Sequence, residues 1–237
     1  MSDLFVVTSA INTRFGAFNA EERLEQTRQT VASIRRRAPS AHVCLVEMAA
    51  IALEPGQRDE LRSLVDTLME YGSLPAVSEI YHGTESWDVV KNATEVLCLR
   101  TFLQDYGQIL QERAFDRIFK LSGRYVLGDA FQTVDYAGLR ERIVFARRRP
   151  SQFPIELTGG IAEQYMSRLW SWPGPLTLTI TEVYGRCLTH MFERFRSGGY
   201  CDIEHALFRF MPAALVSEVD QIGVSGRLGP NGRSVED

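Results

Sequence analysis

Lysine is nearly missing from this 237-residue chain: of 26 basic residues only Lys91 and Lys120 are lysines. On composition this reads as the coding bias of an arginine-favouring genome. Positive charge is not in excess either, since 30 acidic residues leave a formal net charge of −4. That excludes the diffuse basic field that gathers nucleic acid or an anionic membrane, so any anion must be bound locally. No apolar run approaches the roughly 20 residues that span a bilayer, and no basic segment precedes the first apolar burst. The sequence therefore predicts neither secretion nor a membrane span, and points to the cytoplasm. Cysteine is sparse and never paired as CxxC; Cys44, Cys98, Cys187 and Cys201 are widely spaced, in settings such as VCLV and VLCL. They read as reduced core thiols. Also missing are a GxxxxGK[ST] loop, a G-x-G-x-x-G fingerprint and a DxD pair.

What is present is average globular composition, 45% hydrophobic and 24% charged, enough to bury a core and to exclude disorder, collagen and coiled coil. Leu4 to Val7 is an apolar strand that empties into Thr8-Ser9-Ala10. Asn19 and Glu22 have capping-box spacing, and Leu24, Thr27, Val31 and Ile34 then share a helical face up to Pro39. His42 to Glu47 is a second buried strand, completing a βαβ unit. Pro55-Gly56 opens a helix striped by Leu61, Leu64, Val65 and Leu68, which Gly72 is expected to end. Val77 to Tyr81 reads as a short strand, Trp87 to Tyr106 as a helix stopped by Gly107, and Arg117 to Leu121 as a returning strand.

Such alternation predicts a three-layer α/β/α sandwich on a mainly parallel sheet, with ligands at the carboxyl ends of the strands. Beyond about residue 143 the pattern is less regular. It holds short segments at Ile143–Ala146 and Phe153–Leu157, then RLWSWPGP, whose Trp170 and Trp172 suit either sugar stacking or core packing. A strong helix follows from Ile180 to Phe195, and a shorter one from Ile203 to Phe210. Gly185 in the longer helix costs roughly 1 kcal/mol relative to alanine and hints at close packing. The Gly-rich tail from Ile222 is expected to supply turns and little core. The whole chain, 1–237, reads as one domain without internal repeats.

Two clusters carry chemistry. In RIFKLSGRYVLGD (Arg117 to Asp129) a buried strand ends at Ser122-Gly123 with Lys120 and Arg124 on either side, where a parallel sheet would seat a phosphate. A surface salt bridge for Arg124 and a snorkelling Lys120 are the structural alternative. In CDIEH, Asp202, Glu204 and His205 stand at the start of a helix, as N-cap and first-turn acid or as chemical groups.

Three strings together resemble glycosyltransferase-like proteins of the GT-A type from bacteria and their phages: Arg28 followed by Thr30, Ser33, Ile34 and Arg35; Pro39, Ala41, Leu45, Val46 and Glu47; and FKLSGRY at 119–125. The resemblance covers roughly residues 4–131 plus the segment near Glu204. It implies a nucleotide-sugar-binding half over about 1–131 and an acceptor half with a tail over about 132–237. The implied activity is sugar transfer from a nucleoside-diphosphate donor to a glycan or lipid-linked acceptor in surface polysaccharide synthesis.

Thr8, Ser9, Ala10, Arg28, Glu47, Lys120, Ser122, Gly123, Arg124 and Asp129 are then the expected donor-binding residues. Glu204 is the expected catalytic base, with Asp202 as its orienter or substitute. Many such enzymes hold Mn²⁺ or Mg²⁺ on a DxD pair; here Asp129 and His205 are the candidate ligands, and action without metal is the alternative, with Lys120 and Arg124 neutralising the departing diphosphate. A non-catalytic glycan- or nucleotide-binding module and a nucleotidyl- or phosphotransferase are the rival readings.

Overall fold

The capping box forms as spaced: Asn19 accepts from the Glu22 amide while Glu22 accepts from the Asn19 amide, starting helix α1 (Ala20–Arg37). The computed structural model describes residues 3–112, 115–229 and 231–237, and of residues 108, 109, 111 and 112 the backbone alone. Strands β1 (Leu4–Ser9) and β2 (His42–Glu47) pair in parallel with α1 as their crossover. Helix α2 (Pro55–Leu64) leads to β3 (Thr67–Glu70), parallel to β2. Helices α3 (Pro75–Gly83) and α4 (Trp87–Glu112) then return the chain to β4 (Arg117–Ser122), parallel to β1 on its other side.

Short strand β5 (Tyr125–Leu127) is followed by β6 (Ile143–Ala146), a two-residue pair β7 (Arg149–Pro150) and β8 (Glu163–Gln164), and β9 (Leu169–Pro173). Helices α5 (Thr177–Arg196) and α6 (Ile203–Phe210) precede β10 (Val216–Val219), β11 (Val224–Arg227) and β12 (Ser234–Glu236). The main sheet has seven strands in the order β10-β6-β9-β4-β1-β2-β3, and only β9 runs antiparallel to its neighbours. Two apolar cores fill its faces. Val31 and Ile34 of α1 and Leu61 of α2 belong to one; Val96, Leu99 and Phe102 of α4, Val183 and Met191 of α5, and Leu207 of α6 belong to the other. This is the expected α/β sandwich.

Four local expectations change. Val77 to Tyr81 is helical, because Pro75 opens a turn and the two residues, four apart, both become buried on one face. The second helix stops at Leu64 rather than Gly72: Val65 is extended, Asp66 accepts the Val43 amide at 2.7 Å, and the Leu68 half of the stripe lies on β3. Helix α4 continues past Gly107, where a side chain would meet open space. The tail contributes more than turns, since β11 and β12 form a three-stranded sheet with β5 and bury Ile222 and Val224. Phe153 to Leu157 is a run of turns.

Gly72 serves a close approach. A Cβ there would lie 1.9 Å from the Ala49 carbonyl oxygen, a backbone atom that cannot rotate away. Gly72→Ala should cost about 1–3 kcal/mol, read as a lowered midpoint in urea; an unchanged midpoint would show that the 49–50 segment yields freely.

Candidate functional site

Strand order reverses at β1, which has β2 and β3 on one side and β4 on the other. Such switch points open a crevice at the carboxyl ends of the strands. A cleft lies there, lined by Thr8, Ser9 and Ala10 at the end of β1, Met48, Ala49 and Ala50 after β2, and Ser122 and Arg124 at the end of β4. Its opposite wall comes from α3 and α4, through Val77, Tyr81, Trp87, Val90, Lys91 and Glu95. Phe15, Gly16 and Gly229 close the remaining side.

The walls differ in chemistry. Met48, Ala49, Ala50, Val77, Tyr81 and Phe15 make one part apolar, with the rings of Tyr81 and Phe15 5.7 Å apart edge to face. Elsewhere Arg23, Lys91 and Arg124 bring three cations to the lining. Arg23 is buried and donates to the carbonyls of Ala10, Phe15 and Phe18 at 3.3, 2.8 and 3.0 Å, so its charge fixes the 10–18 loop. Burial and the nearby Arg124 push its guanidinium down to about 10. The Arg124 Nε is buried and has no hydrogen-bond partner, an expensive state for a cation's donor. Among the described residues Lys91 makes no hydrogen bond or ion pair; burial works against its charge, and Glu204 and Glu95 outweigh burial to hold it above its ordinary value.

Beneath the cleft runs a buried polar chain. Lys120, fully buried, pairs with Glu95 at 2.5 Å and donates to Ser122 Oγ at 2.7 Å and the Ser167 carbonyl at 2.8 Å. Ser167 Oγ in turn donates to Glu204 at 2.6 Å. Burial pushes Glu95 up, but Lys120 and Lys91 prevail and hold its carboxyl below the usual range. Burial raises Glu204 above that range despite Lys91.

Of the expected site residues, Thr8, Ser9, Ala10, Ser122 and Arg124 line the cleft together. Lys120 supports it from below. Gly123 is packed instead of exposed, donating to the Thr8 carbonyl at 2.8 Å, and a Cβ there would approach that oxygen to 3.0 Å. Glu47 turns inward: its carboxylate accepts from Ser9 Oγ and from the amides of Ile11 and Ala49, tying the β1 and β2 loops together, and it does not line the cleft. Arg28 sits on the outer face of α1 with Glu25 and Glu60, and Asp129 is exposed with Arg37; neither reaches the cleft.

Glu204 does not line the cleft; Lys91, which does, is its principal charge neighbour. Asp202 caps α6 through the His205 amide at 2.9 Å and holds His205 Nδ1 at 2.5 Å, while His205 Nε2 meets Ser151 Oγ at 2.8 Å. With both ring nitrogens engaged and the ring buried, His205 offers nothing to a metal. Three carboxylates at or near the cleft are engaged by protein groups: Glu95 by Lys120, Glu47 by Ser9 and two amides, and Glu204 by Ser167. Among the described residues no three His, Cys, Asp or Glu gather as ligands. Trp170 and Trp172 are core residues, the former stacked on Phe145 at 5.0 Å.

The residues that sequence reasoning missed are Lys91, Glu95, Arg23, Trp87 and Gly229. Lys91 and Glu95 had a signal: an i, i+4 pair on a helix in which one member is one of only two lysines. No helix of the described residues is long and apolar enough to cross a membrane.

No protein-family model matches this chain. No curated protein matches it either. Solved structures do match; among them is the apo form of mouse xyloside xylosyltransferase 1, at 10% identity and a TM-score of 0.45, covering 92% of this chain and 84% of that one. At that score the likeness carries no weight for function, which rests on the cleft itself.

Proposed function

We propose that the chain is a glycosyltransferase that binds a nucleoside-diphosphate sugar in the β1–β4 cleft and passes the sugar to a glycan or lipid-linked acceptor. The observation that carries this is the buried, unpartnered Nε of Arg124 beside the unpaired Lys91, both lining a cleft that also has an apolar, aromatic wall. A diphosphate supplies the acceptors these cations lack, and a nucleobase suits the wall of Tyr81, Val77 and Met48. The resemblance of FKLSGRY to the GT-A type is consistent with that orientation.

Lys91 and Arg124 would neutralise charge on the departing nucleoside diphosphate, the task a metal ion performs where a DxD pair is present. Glu204 is the proposed base. Bacterial surface polysaccharide synthesis in the cytoplasm is the setting this reading implies. A binding module without turnover is the second reading, favoured by the absence of Glu204 from the cleft lining.

The test is a thermal-shift and calorimetric screen against UDP, GDP, CMP, ADP and dTDP, with and without Mn²⁺, on wild type and Arg124→Ala. One diphosphate should raise the melting temperature of the wild type, without needing Mn²⁺, and Arg124→Ala should weaken that binding by about tenfold or more. Binding of none in any condition would end the donor reading; binding without hydrolysis or transfer would favour the module.

A further inference from the structure

Nine of the described arginines, Arg14, Arg28, Arg35, Arg37, Arg58, Arg147, Arg148, Arg149 and Arg168, each have a carboxylate within ion-pair distance, and the other fourteen have none among the described residues. Three of those fourteen line one groove between α4, α5 and α6. It shares no lining residue with the cleft, and it gathers Arg100, Arg186 and Arg209 around His190. Among the described residues none of the three guanidiniums has a carboxylate partner, although Glu182 and Glu193 border the same groove.

Arg186 and Arg209 are exposed and Arg100 is half-buried. Arg100 lies across α5 at Gly185, where a Cβ would meet its Nε at 3.4 Å, an ordinary van der Waals contact. Arg186 and Arg209 each stand 5.6 Å from the centroid of the Phe210 ring, and Arg186 donates to the Phe210 carbonyl at 3.2 Å. The His190 ring meets the edge of the same phenyl at 5.4 Å, and its buried Nε2 has no hydrogen-bond partner. The groove thus gathers guanidinium donors around an aromatic post, with the Phe210 carbonyl as their one protein acceptor among the described residues.

We propose that this groove is a second binding site, for a compact anion of the phosphate or pyrophosphate class, free or carried at the end of a small soluble molecule. Guanidiniums recognise such groups through paired, charge-assisted hydrogen bonds, and an imidazole Nε2–H supplies a further donor once protonated. Burial, and then Arg209, lower the proton affinity of His190, with Arg194 acting the same way and Glu193 opposing. An anion between these groups reverses that balance.

The protein has four histidines, so the His190 ring can be followed individually by NMR in a pyrophosphate titration of the intact protein. The expected result is a saturable shift of the His190 signals and an upward move of its titration midpoint. Both should persist in Arg124→Ala, which alters only the cleft, and weaken by about tenfold or more in Arg100→Ala/Arg209→Ala. Three results would overturn the proposal: His190 signals that stay still while pyrophosphate saturates the cleft, an equal shift from sodium chloride of matched ionic strength, or undiminished binding by a folded double variant. Because Arg124→Ala separates the two sites, failure of the groove leaves the donor reading standing, and the converse holds.

Discussion

Lys120→Met should destabilise the protein by about 3–5 kcal/mol, read from the urea midpoint, because it leaves the Glu95 carboxylate buried without its closest counter-charge. Lys120 is wholly enclosed and Glu95 nearly so, which removes the solvent screening that makes surface pairs weak. The double variant Lys120→Met/Glu95→Leu should recover much of the loss, since replacing both members of a buried pair by apolar groups is often close to neutral. A double variant as unstable as the sum of two independent losses would show that the partners act through Ser122 and Ser167 instead of through each other.

The pH dependence has a definite sign. In wild type the depressed Glu95 carboxyl adds stability above its unfolded value, and that stability is lost as pH falls through the folded one. Without Lys120 the same carboxyl loses its strongest counter-charge and moves up from its wild-type value, so less of that acid-sensitive stability remains to be lost. The stability gap between variant and wild type therefore narrows on acidification.

Glu204→Gln should lower turnover by about 10²–10⁴-fold, the usual range for a lost general base, with little change in donor affinity because the side chain does not line the cleft. The base acts ionised, and burial holds the Glu204 carboxyl above its ordinary 4.5. Activity should therefore rise with pH along an acid limb displaced upward from the ordinary carboxylate range, and the limb should vanish in the glutamine variant. Lys91→Met should move the limb further up, because Lys91 favours the charged form of Glu204. Full turnover in Glu204→Gln would transfer the role elsewhere, with Glu95 the carboxylate that does line the cleft.

The half of the fold that depends on local rules was readable. The Asn19–Glu22 box, the Pro39 stop and the paired apolar strands at 4–9 and 42–47 each state their element within a few residues. Leu68 and Val77 were misplaced because four or five apolar residues fit both periods, and pairing with β2 or packing of α3 decides between them. The cleft residues at strand ends, Thr8 to Ala10 with Ser122 and Arg124, were legible from that position alone. Glu47 and Arg28 failed for the same reason as each other: sequence places a residue on an element but does not say to which face its charge is turned. Lys91 was concealed by an explanation that held for composition and not for place, since both lysines of the chain face the Glu95 carboxyl.

The cleft closes on residues far apart along the chain. Gly229 in the β11–β12 turn lies against Arg124, with its carbonyl accepting the Ala17 amide at 2.9 Å, so part of the side that Phe15 and Gly16 close is made more than two hundred positions after Thr8. During synthesis, β1, β2 and β4 are all outside the ribosome long before that turn emerges. A nascent chain halted before residue 224 would display an open strand-end crevice with β5 unpaired along one edge, able to fold its first helices and unable to hold a ligand. Competence to bind would then arrive late and in one step, as β11 docks on β5 and brings Gly229 over Arg124.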